Sequence, residues 1–453
     1  MGGRMLIGAG AGFSGDRVDA PIAVVRDLRA SSERAAIMFE TLGERTLALA
    51  QLRRRENPSA GYEPKLEALL APILKDCVDG GIAIVGNFGA ANPLAAAQVI
   101  AKLATERGTR AKIGVVTGDD MLTAQGLEVL RACGDELPDE NRLVSANVYL
   151  GAAPIVEALG AGAEVVVTGR TADPALALGP LIHAFGWSFD NWHWLGRGTM
   201  AGHLLECGAQ VSGGYYADPG FKDVPSPESI GYPIARIDSD GGIVIGKAAG
   251  GGLVDRHTVT EQLLYEVHDP AAYLTPDVVA DIGQASLTEL GNDQVRVEGV
   301  TGHARPERLK VTVCFDGGWL GEGEISYYGP NALARARLAG EVVRRRSPRG
   351  IRIRCDAIGV LSVLADDGGR AWDQVDDLGD TACEDVRLRV AFAGDDKAAV
   401  ERGLAEVESL YCAGPAAGGG IRLALRSRIA ITSCFVPREA VQAKVAFVEA
   451  GHA

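Results

Sequence analysis

Near its start the chain carries Arg4-Met-Leu-Ile-Gly-Ala-Gly-Ala-Gly-Phe-Ser-Gly-Asp-Arg17, an apolar run that breaks into glycines and polar residues. Such a run favours a buried strand, and glycine, which lacks a Cβ and tolerates positive φ, lets backbone N–H groups approach a ligand closely. The stretch predicts a strand followed by a turn that holds a small anion, with a tight structural turn as the simpler alternative. The candidate binding residues in it are Gly8, Gly10, Gly12, Ser14, Asp16 and Arg17.

The same pattern recurs through the first half of the chain. Three further apolar runs lead directly into polar turns, within residues 82–93, 113–120 and 164–174. Stretches of helical length that are rich in alanine and leucine lie between them, at 93–107 and 154–160. Strands that alternate with helices imply a parallel sheet, and ligands bind beyond the carboxyl ends of such strands. We therefore expect the polar turns to converge on one site.

This alternation predicts an α/β fold with a doubly wound parallel sheet in the N-terminal part and a smaller α+β unit at the C-terminal end. Three domains are expected: a Rossmann-like domain at 1–200, a strand-rich insert with a helix at 201–350 that completes the cleft, and a split α/β unit at 351–453. A helix at 440–449 is expected to close the chain. The strands of the sheet are expected at residues 4–9, 36–39, 82–86, 113–117, 143–148 and 164–168.

The composition of the 453 residues excludes several classes of protein. A net charge of −14 disfavours nucleic acid as a partner, because its phosphates require a basic surface. No apolar run approaches the roughly 20 residues that cross a bilayer, so we expect no membrane association and a cytoplasmic location. The eight cysteines occur singly, without a C-x-x-C pair, which predicts reduced, mostly buried thiols and no metal site.

Two acids that follow a predicted strand are the first candidates for catalysis. Asp119 and Asp120 come directly after the run at 113–117, where a carboxylate can bind a cation or a hydroxyl or move a proton. We expect one of them to act in this way and the other to cap a helix that starts at Met121.

The neighbouring turns supply candidate substrate-binding residues. Arg170 presents a fork of N–H donors that matches a substrate carboxylate, and Asp173 stands in the same turn. A structural Arg–Asp pair across the turn is the alternative. Asn87 and Asn92, in the turn after the run at 82–86, complete this set.

His203, Glu206 and Cys207 lie at positions i, i+3 and i+4 of a predicted helix, so they are close to one face. Histidine titrates near neutral pH and moves protons, and a thiol is a nucleophile where its pKa is lowered. The alternative is that His203 and Cys207 are core residues. A zinc site has weaker support, because the offsets do not reproduce H-x-x-x-H and no fourth ligand is evident.

Two features of the C-terminal half carry weaker signals. Glu322 and Glu324 alternate in a predicted strand, so they share a face and form either an acid–base pair or a solvated strand edge. A glycine-rich turn at 414–420 precedes several arginines, which is typical of a phosphate or carboxylate site or of a flexible hairpin with a basic strand.

Three familiar enzyme classes have little support. The glycines do not fit the dinucleotide pattern G-x-G-x-x-G, and Glu40, the nearest candidate for a ribose-binding acid, lies about 28 residues after Gly12 instead of roughly 20. A nicotinamide dehydrogenase is therefore disfavoured. The lack of a G-x-S-x-G elbow and of a Walker lysine motif disfavours a serine hydrolase and a P-loop phosphotransferase. The cofactor stays unassigned.

With these motifs the sequence resembles the acyclic terpene utilization AtuA family over nearly its whole length. The resemblance implies a role in the bacterial catabolism of citronellol-type terpenes and related branched acids. Some members carry an extra C-terminal ferredoxin-like module, so we expect this chain to form a homo-oligomer or to bind a small ferredoxin-like partner subunit. The matching stretches are residues 8–17, 87–93, 117–120, 168–174, 201–208, 213–219, 321–325 and 414–420.

Two functions fit these residues. The first is an enzyme that acts on a small branched carboxylate or its CoA thioester by proton transfer, as a lyase or hydro-lyase in hydration, dehydration or carbon–carbon lysis. In this hypothesis the glycine loop and Arg170 bind the anionic group, while Asp119 or Asp120 moves protons together with His203. The second is a non-catalytic ligand-binding or scaffold subunit that requires a small partner protein.

Overall fold

A computed structural model gives the fold of residues 3–133, 137–364, 366, 368–378 and 384–450. The chain divides into two compact units, one built from residues 1–314 and 431–453 and the other from residues 315–430.

The first part of the chain alternates strands and helices, as the sequence predicts. Its strands are β1 (Arg4–Ala11), β2 (Arg34–Phe39), β3 (Ala83–Gly86), β4 (Lys112–Thr117), β5 (Leu143–Val148) and β6 (Val165–Thr168). Its helices are α1 (Ala20–Ala30), α2 (Glu44–Glu56), α3 (Leu66–Leu70), α4 (Leu74–Asp79), α5 (Pro93–Glu106), α6 (Ala124–Ala132), α7 (Ala153–Gly160), α8 (Ala175–Phe185) and α9 (Trp192–Glu206).

The rest of the chain is richer in strands. These are β7 (Pro233–Asp238), β8 (Ile243–Lys247), β9 (Tyr273–Leu274), β10 (Val279–Asp281), β11 (Ser286–Glu289), β12 (Val295–Glu298), β13 (Thr301–His303), β14 (Arg308–Tyr328), β15 (Arg352–Ile358), β16 (Asp385–Gly394), β17 (Gly418–Pro437) and β18 (Lys444–Glu449). The helices are α10 (Arg256–Leu264), α11 (Ala332–Arg346) and α12 (Lys397–Ala413).

Ten of these strands form one sheet, in the order β11-β12-β8-β7-β1-β2-β3-β6-β4-β18. The five strands β1, β2, β3, β6 and β4 run parallel, which confirms the parallel sheet predicted for the N-terminal part. Antiparallel strands extend this sheet at both ends.

Both faces of the parallel strands are buried, as a doubly wound sheet requires. Ile37 and Ile113 belong to a core that also takes in side chains of α1, α4 and α5. Met38 and Gly114 follow them in sequence and point to the opposite face. There Ala158 of α7 lies so close to Gly114 that a Cβ at the glycine would approach it to 2.8 Å.

Two predicted elements differ from the structure. Residues 143–148 form a strand, but β5 pairs with β14 and does not join the parallel sheet. All of β5 is buried, and a uniformly buried run does not reveal which strand it will pair with. The helix expected at 440–449 is wrong, because Lys444–Glu449 forms β18 and pairs antiparallel with β4. Val445 and Phe447 favour extended structure, and the pairing covers the edge of β4.

The unit of residues 315–430 has the α+β character expected for the C-terminal end. Strands β15, β16, β14 and β17 lie side by side in that order, and the first three are antiparallel. Helices α11 and α12 contribute Val343 and Val407 to a core that also holds Val390 and Phe392 of β16.

The composition led to expectations about membrane-spanning helices and about the cysteines. None of the helices α1–α12, in the residues that the structure describes, combines the length and apolar character of a membrane-spanning segment. Cys383 lies outside the described residues. Of the cysteines in the described residues, Cys77, Cys314, Cys355 and Cys434 are buried, Cys133 and Cys207 are half-buried and Cys412 is exposed.

Candidate functional site

A cavity of about 1500 Å³ opens in the larger unit, at the carboxyl ends of β1, β2 and β6. Small-molecule sites usually have volumes of about 300 to 1,000 Å³, so this cavity suits a large ligand. Four segments supply most of its wall: residues 12–16 after β1, residues 40–46 after β2, residues 265–276 between α10 and β10, and the start of β14 at 308–310.

Arg170, which follows β6, lies at the base of this cavity and is only 1% exposed. Its guanidinium donates to the carbonyls of Thr171 and Leu42 and to the Asp173 carboxylate, and it stacks 4.4 Å from the centre of the Tyr149 ring. Burial acts to lower the pKa of Arg170, but Asp173 and the surrounding acids raise it above its ordinary value. Because most of its donors are already bound, Arg170 forms the Arg–Asp pair of the turn and acts as a fixed positive charge.

Two glutamates that follow β2, Glu40 in the turn and Glu44 at the start of α2, have opposite electrostatic environments. Glu40 is 8% exposed, and its Oε1 accepts hydrogen bonds from the Leu42 N–H at 2.8 Å and from the side-chain amide of Asn87 at 2.9 Å. Burial, helped by the charge of Asp173, raises the pKa of Glu40 to about 8. A neutral Glu40 is therefore the main form at pH 7.

Glu44 lies four residues further on and also lines the cavity. Its Oε1 accepts a hydrogen bond from the Tyr149 hydroxyl at 2.8 Å and lies 3.5 Å from the Lys310 Nζ. Burial acts to raise the pKa of Glu44, but the hydrogen bonds from its own backbone N–H and from Tyr149, together with the charge of Lys310, hold it below its ordinary value. The segment from β2 into α2 thus presents one carboxyl with a raised pKa and one with a lowered pKa to the same cavity.

The end of α9 forms another part of the wall. Glu206 and Cys207 line the cavity, whereas His203 lies behind them and is 1% exposed. The His203 Nδ1 is 2.8 Å from the Glu206 Oε1. Burial raises the pKa of the Cys207 thiol, so the thiolate that a nucleophile requires is scarce at neutral pH.

Asp119 does not line the cavity but supports it from behind. It is 5% exposed, and its Oδ2 accepts hydrogen bonds from the Arg170 N–H at 2.9 Å and from the Asn147 side-chain amide at 2.8 Å. Burial raises the pKa of Asp119 to about 6 even though both hydrogen bonds act to lower it. Asp119 therefore positions the turn that carries Arg170.

The helix expected to start at Met121 is wrong, because α6 begins at Ala124 and is capped by Thr123. The Met121 N–H donates to the Ala146 carbonyl, which keeps the chain extended beside β5 at this point. Asp120 is exposed, and its Oδ1 accepts a hydrogen bond from the Leu122 N–H at 2.9 Å.

Three glycines, Gly8 and Gly10 within β1 and Gly12 just after it, are needed for close packing. A Cβ at Gly8 would collide with Val24, and one at Gly10 would collide with the Phe39 ring. Gly12 alone of the three lines the cavity, where the backbone of Cys207 leaves no room for a side chain. The Gly12 N–H, a candidate donor to an anion, is bound 2.7 Å from Asp16 Oδ2.

The other polar residues predicted to bind substrate have protein partners. The Ser14 hydroxyl donates to Glu63 at 2.6 Å, and exposed Arg17 pairs with Asp19 at 2.8 Å. The Asn87 Oδ1 accepts the Thr41 N–H at 2.7 Å. Asn92 caps α5 and donates to two backbone carbonyls.

The cavity also exposes large apolar side chains, which the sequence did not single out. Tyr215 is 93% exposed, Leu274 63%, Phe13 60%, Phe435 45% and Tyr265 38%, and all five line this cavity. Soluble proteins rarely expose a large apolar patch without a ligand or partner. This wall suits an apolar part of a ligand.

The structure thus brings together about half of the residues predicted from sequence. Those that line the cavity are Gly12, Ser14, Asp16, Arg170, Asp173, Glu206 and Cys207. Those that do not are Gly8, Gly10, Arg17, Asn87, Asn92, Asp119, Asp120 and His203. Glu40 carried the same signal as Asp119, an acid just after a strand, but no local signal marks Glu44, which begins α2, or Tyr149, Tyr273 and Lys310.

The acids predicted in the C-terminal half are engaged in ion pairs. Glu322 pairs with Arg389 and Arg426, and Glu324 pairs with Arg387. The described residues contain no group of three or more His, Cys, Asp or Glu side chains arranged to hold a metal ion.

The comparison with known families identifies the family of the chain. The model of the family described as acyclic terpene utilisation family protein AtuA matches residues 5–447. The chain belongs to the AtuA family. Membership implies a role in acyclic terpene utilisation. No curated protein and no solved structure matches the chain, so the reaction of this AtuA-family protein has to be argued from the cavity itself.

Proposed function

We propose that this chain is an enzyme of branched-acid or acyclic terpene catabolism that acts on a small carboxylate or its acyl-CoA by proton transfer, as a lyase or hydro-lyase. The observation that carries the proposal is the pair Glu40 and Glu44, which line one cavity with pKa values shifted in opposite directions. Titratable groups whose pKa values are pushed apart in this way are typical of an acid and a base in one active site.

In a dehydration, Glu44 takes the proton from the carbon next to the thioester carbonyl, and the bond to the β-hydroxyl breaks. The Glu40 proton goes to the leaving hydroxyl, which departs as water and leaves a carbon–carbon double bond. Hydration is the reverse. In a lysis, Glu44 takes the hydroxyl proton, the carbon–carbon bond breaks, and Glu40 protonates the released carbon.

Charge and shape of the cavity support this substrate class. Half-buried Lys310 and exposed Arg308 lie at its wall and are better placed than Arg170 to meet a carboxylate or phosphate. The exposed side chains of Tyr215 and Leu274 offer contact to a branched hydrocarbon chain.

The test is turnover of a panel of branched 3-hydroxyacyl-CoA thioesters and the corresponding free acids, with products identified by mass spectrometry. We expect Glu44→Gln and Glu40→Gln to lower kcat by about 10²- to 10⁴-fold. Glu322→Gln, which changes a paired acid outside the cavity, should leave kcat unchanged. Equal effects of all three variants would refute the assignment.

The alternative is a non-catalytic ligand-binding or scaffold subunit. It predicts no turnover of the panel by the chain alone, or with a small ferredoxin-like partner added, while the ligand still binds. We also propose a cytoplasmic homo-oligomer, for which α11 offers the exposed Leu338, 56% accessible. Light scattering on the purified chain tests the assembly, and a monomer at micromolar concentration would contradict it.

A further inference from the structure

One cavity-lining acid has an oxygen that the protein leaves unsatisfied. Glu206 is 7% exposed, and its Oε1 contacts the His203 Nδ1, but its Oε2 is buried without a hydrogen-bond partner. Among the acids that line the cavity in the described residues, no other has a buried oxygen in this state. Buried polar atoms are nearly always paired, so an unpaired one in a cavity wall indicates a partner supplied by a ligand.

His203 fixes the orientation of this carboxyl. Its ring packs 5.1 Å, centre to centre, from the Tyr273 ring, and its carbonyl accepts a hydrogen bond from Gln262 at 3.0 Å. The His203 Nε2 is buried and makes no hydrogen bond of standard geometry, although the backbone carbonyls of Gln262 and Leu263 act on the ring and raise its pKa. A buried N–H without a well-aligned acceptor is rarer than a buried acceptor without a donor, so we place the proton of the neutral ring on Nδ1. Nδ1 then donates to the Glu206 Oε1.

Burial keeps both groups neutral. It lowers the pKa of His203 to about 4 and raises the pKa of Glu206 well above its ordinary value. Asp173 and Glu266 strengthen the shift of Glu206, and Arg170 opposes it. A neutral Glu206 whose Oε1 accepts from His203 carries its own proton on Oε2.

We infer that the Glu206 Oε2 donates a hydrogen bond to a carbonyl oxygen of the substrate, with His203 as the positioning residue. The inference rests on the proposed function, since removal of a proton beside a thioester places negative charge on its oxygen. Donors aimed at such an oxygen stabilise the transition state, and a carboxyl kept neutral in an apolar site fills this role in other enzymes. Glu206 thereby holds its proton throughout, while Glu44 and Glu40 exchange theirs.

Infrared difference spectroscopy tests the protonation state without any substrate. The Glu206→Gln variant should lose, at pH 7, one carbonyl stretch of a protonated carboxyl. Glu128→Gln, which changes an exposed acid of α6, should lose only a carboxylate band. A Glu206→Gln spectrum that lacks only a carboxylate band would overturn the inference.

Binding of 4-nitrophenol, whose anion absorbs visible light, tests the donor role. We expect the folded protein to bind it as the phenolate, Glu206→Gln to bind within a few-fold because its amide N–H replaces the donor, and Glu206→Leu to bind about 10- to 100-fold more weakly. Absence of binding by the unmodified protein, or equal binding by the Gln and Leu variants, would overturn the inference. Circular dichroism confirms that each variant is folded.

These readouts separate the two proposals. If no thioester is turned over but the infrared and 4-nitrophenol results hold, the donor assignment stands and the reaction assigned to Glu40 and Glu44 is wrong. If Glu40→Gln and Glu44→Gln abolish turnover but Glu206→Leu binds 4-nitrophenol normally, the reaction stands and the donor assignment is wrong.

Discussion

Two acids of the cavity, Glu40 and Glu206, differ from the acids on the sheet of the smaller unit in the groups that contact them. In the smaller unit Asp356 is only 2% exposed and receives a guanidinium on each side, from Arg354 at 2.9 Å and from Arg389 at 2.7 Å. Glu322 likewise meets Arg389 and Arg426. Each of these carboxylates has a cation in contact, which is how proteins keep buried charge.

In the cavity, Glu40 and Glu206 are as deeply buried but contact only neutral partners, Asn87 and His203. The one buried guanidinium nearby, Arg170, is bound to Asp173 and to backbone carbonyls. Desolvation therefore dominates and raises the pKa of both carboxyls. These two sets of acids therefore differ in role: Asp356 and Glu322, in contact with arginines, hold the fold, whereas the surroundings of Glu40 and Glu206 favour the protonated carboxyl.

The largest expected effect comes from removing a cation in the smaller unit. Arg389→Met leaves buried Asp356 with a single guanidinium, and breaking a buried ion pair costs about 3 to 5 kcal/mol. Urea unfolding should show this loss, while turnover per folded molecule stays unchanged. Arg345→Met is the matched control, because Arg345 is 82% exposed and its loss should change stability by less than about 0.5 kcal/mol. A small effect of Arg389→Met would show that the arginines are not what satisfies these acids.

The pH dependence of stability tests whether Glu40 is protonated in the folded chain. The folded-state pKa of Glu40, about 8, lies above its ordinary value of 4.5, so the folded chain binds the extra proton and stability falls as pH rises between these values. Glu40→Gln cannot lose a proton. The free energy of unfolding of the variant, relative to that of the unmodified protein, should therefore increase from about pH 4.5 to 8. Above pH 8 the two free energies should differ by a constant amount. A constant difference across this range would mean that Glu40 is ionised in the fold.

Part of the candidate site could be predicted from the sequence. The rule that polar turns meet at the carboxyl ends of parallel strands located Asp119, Arg170 and Asp173 near one another, because it depends only on local alternation. It did not distinguish Asp119, which faces inward, from Glu40, which faces the cavity. Both directly follow a strand, and the direction of a side chain is set by tertiary packing.

Residues that enter the cavity from distant segments carried no signal in the sequence. Lys310 arrives on β14 and Tyr273 on the segment before β10, and both depend on long-range pairing that a single sequence does not encode locally. Two glycines within β1 show the opposite error, a local signal for a site that the structure does not form there. Gly8 and Gly10 have the composition of an anion-binding turn, yet Val24 and Phe39 take the space beside them.

Asp119 is a buried acid that belongs to neither of these two sets. Asp119 is buried with two N–H donors and no cation in contact, and it lies outside the cavity. Asp119→Leu removes the oxygen that accepts both hydrogen bonds and leaves two buried donors without a partner, so we expect stability to fall by about 1 to 3 kcal/mol. Asp120→Asn should change it by less than about 0.5 kcal/mol, because Asp120 is exposed. Thermal unfolding of both variants is the measurement, and equal stabilities would favour a catalytic Asp119 over a positioning one.

Exposed leucines inside and outside the cavity allow a similar comparison, with a smaller expected effect. Leu274 is 63% exposed in the cavity wall, and Leu94 is 50% exposed on α5, away from the cavity. If the cavity holds a branched chain, Leu274→Ala loses a hydrophobic contact and should raise KM about tenfold for the longest acyl-CoA thioesters but little for short ones. Leu94→Ala should leave KM unchanged at every chain length. A uniform rise in KM along the series would place the hydrocarbon chain elsewhere, and the exposed apolar wall would then need another occupant.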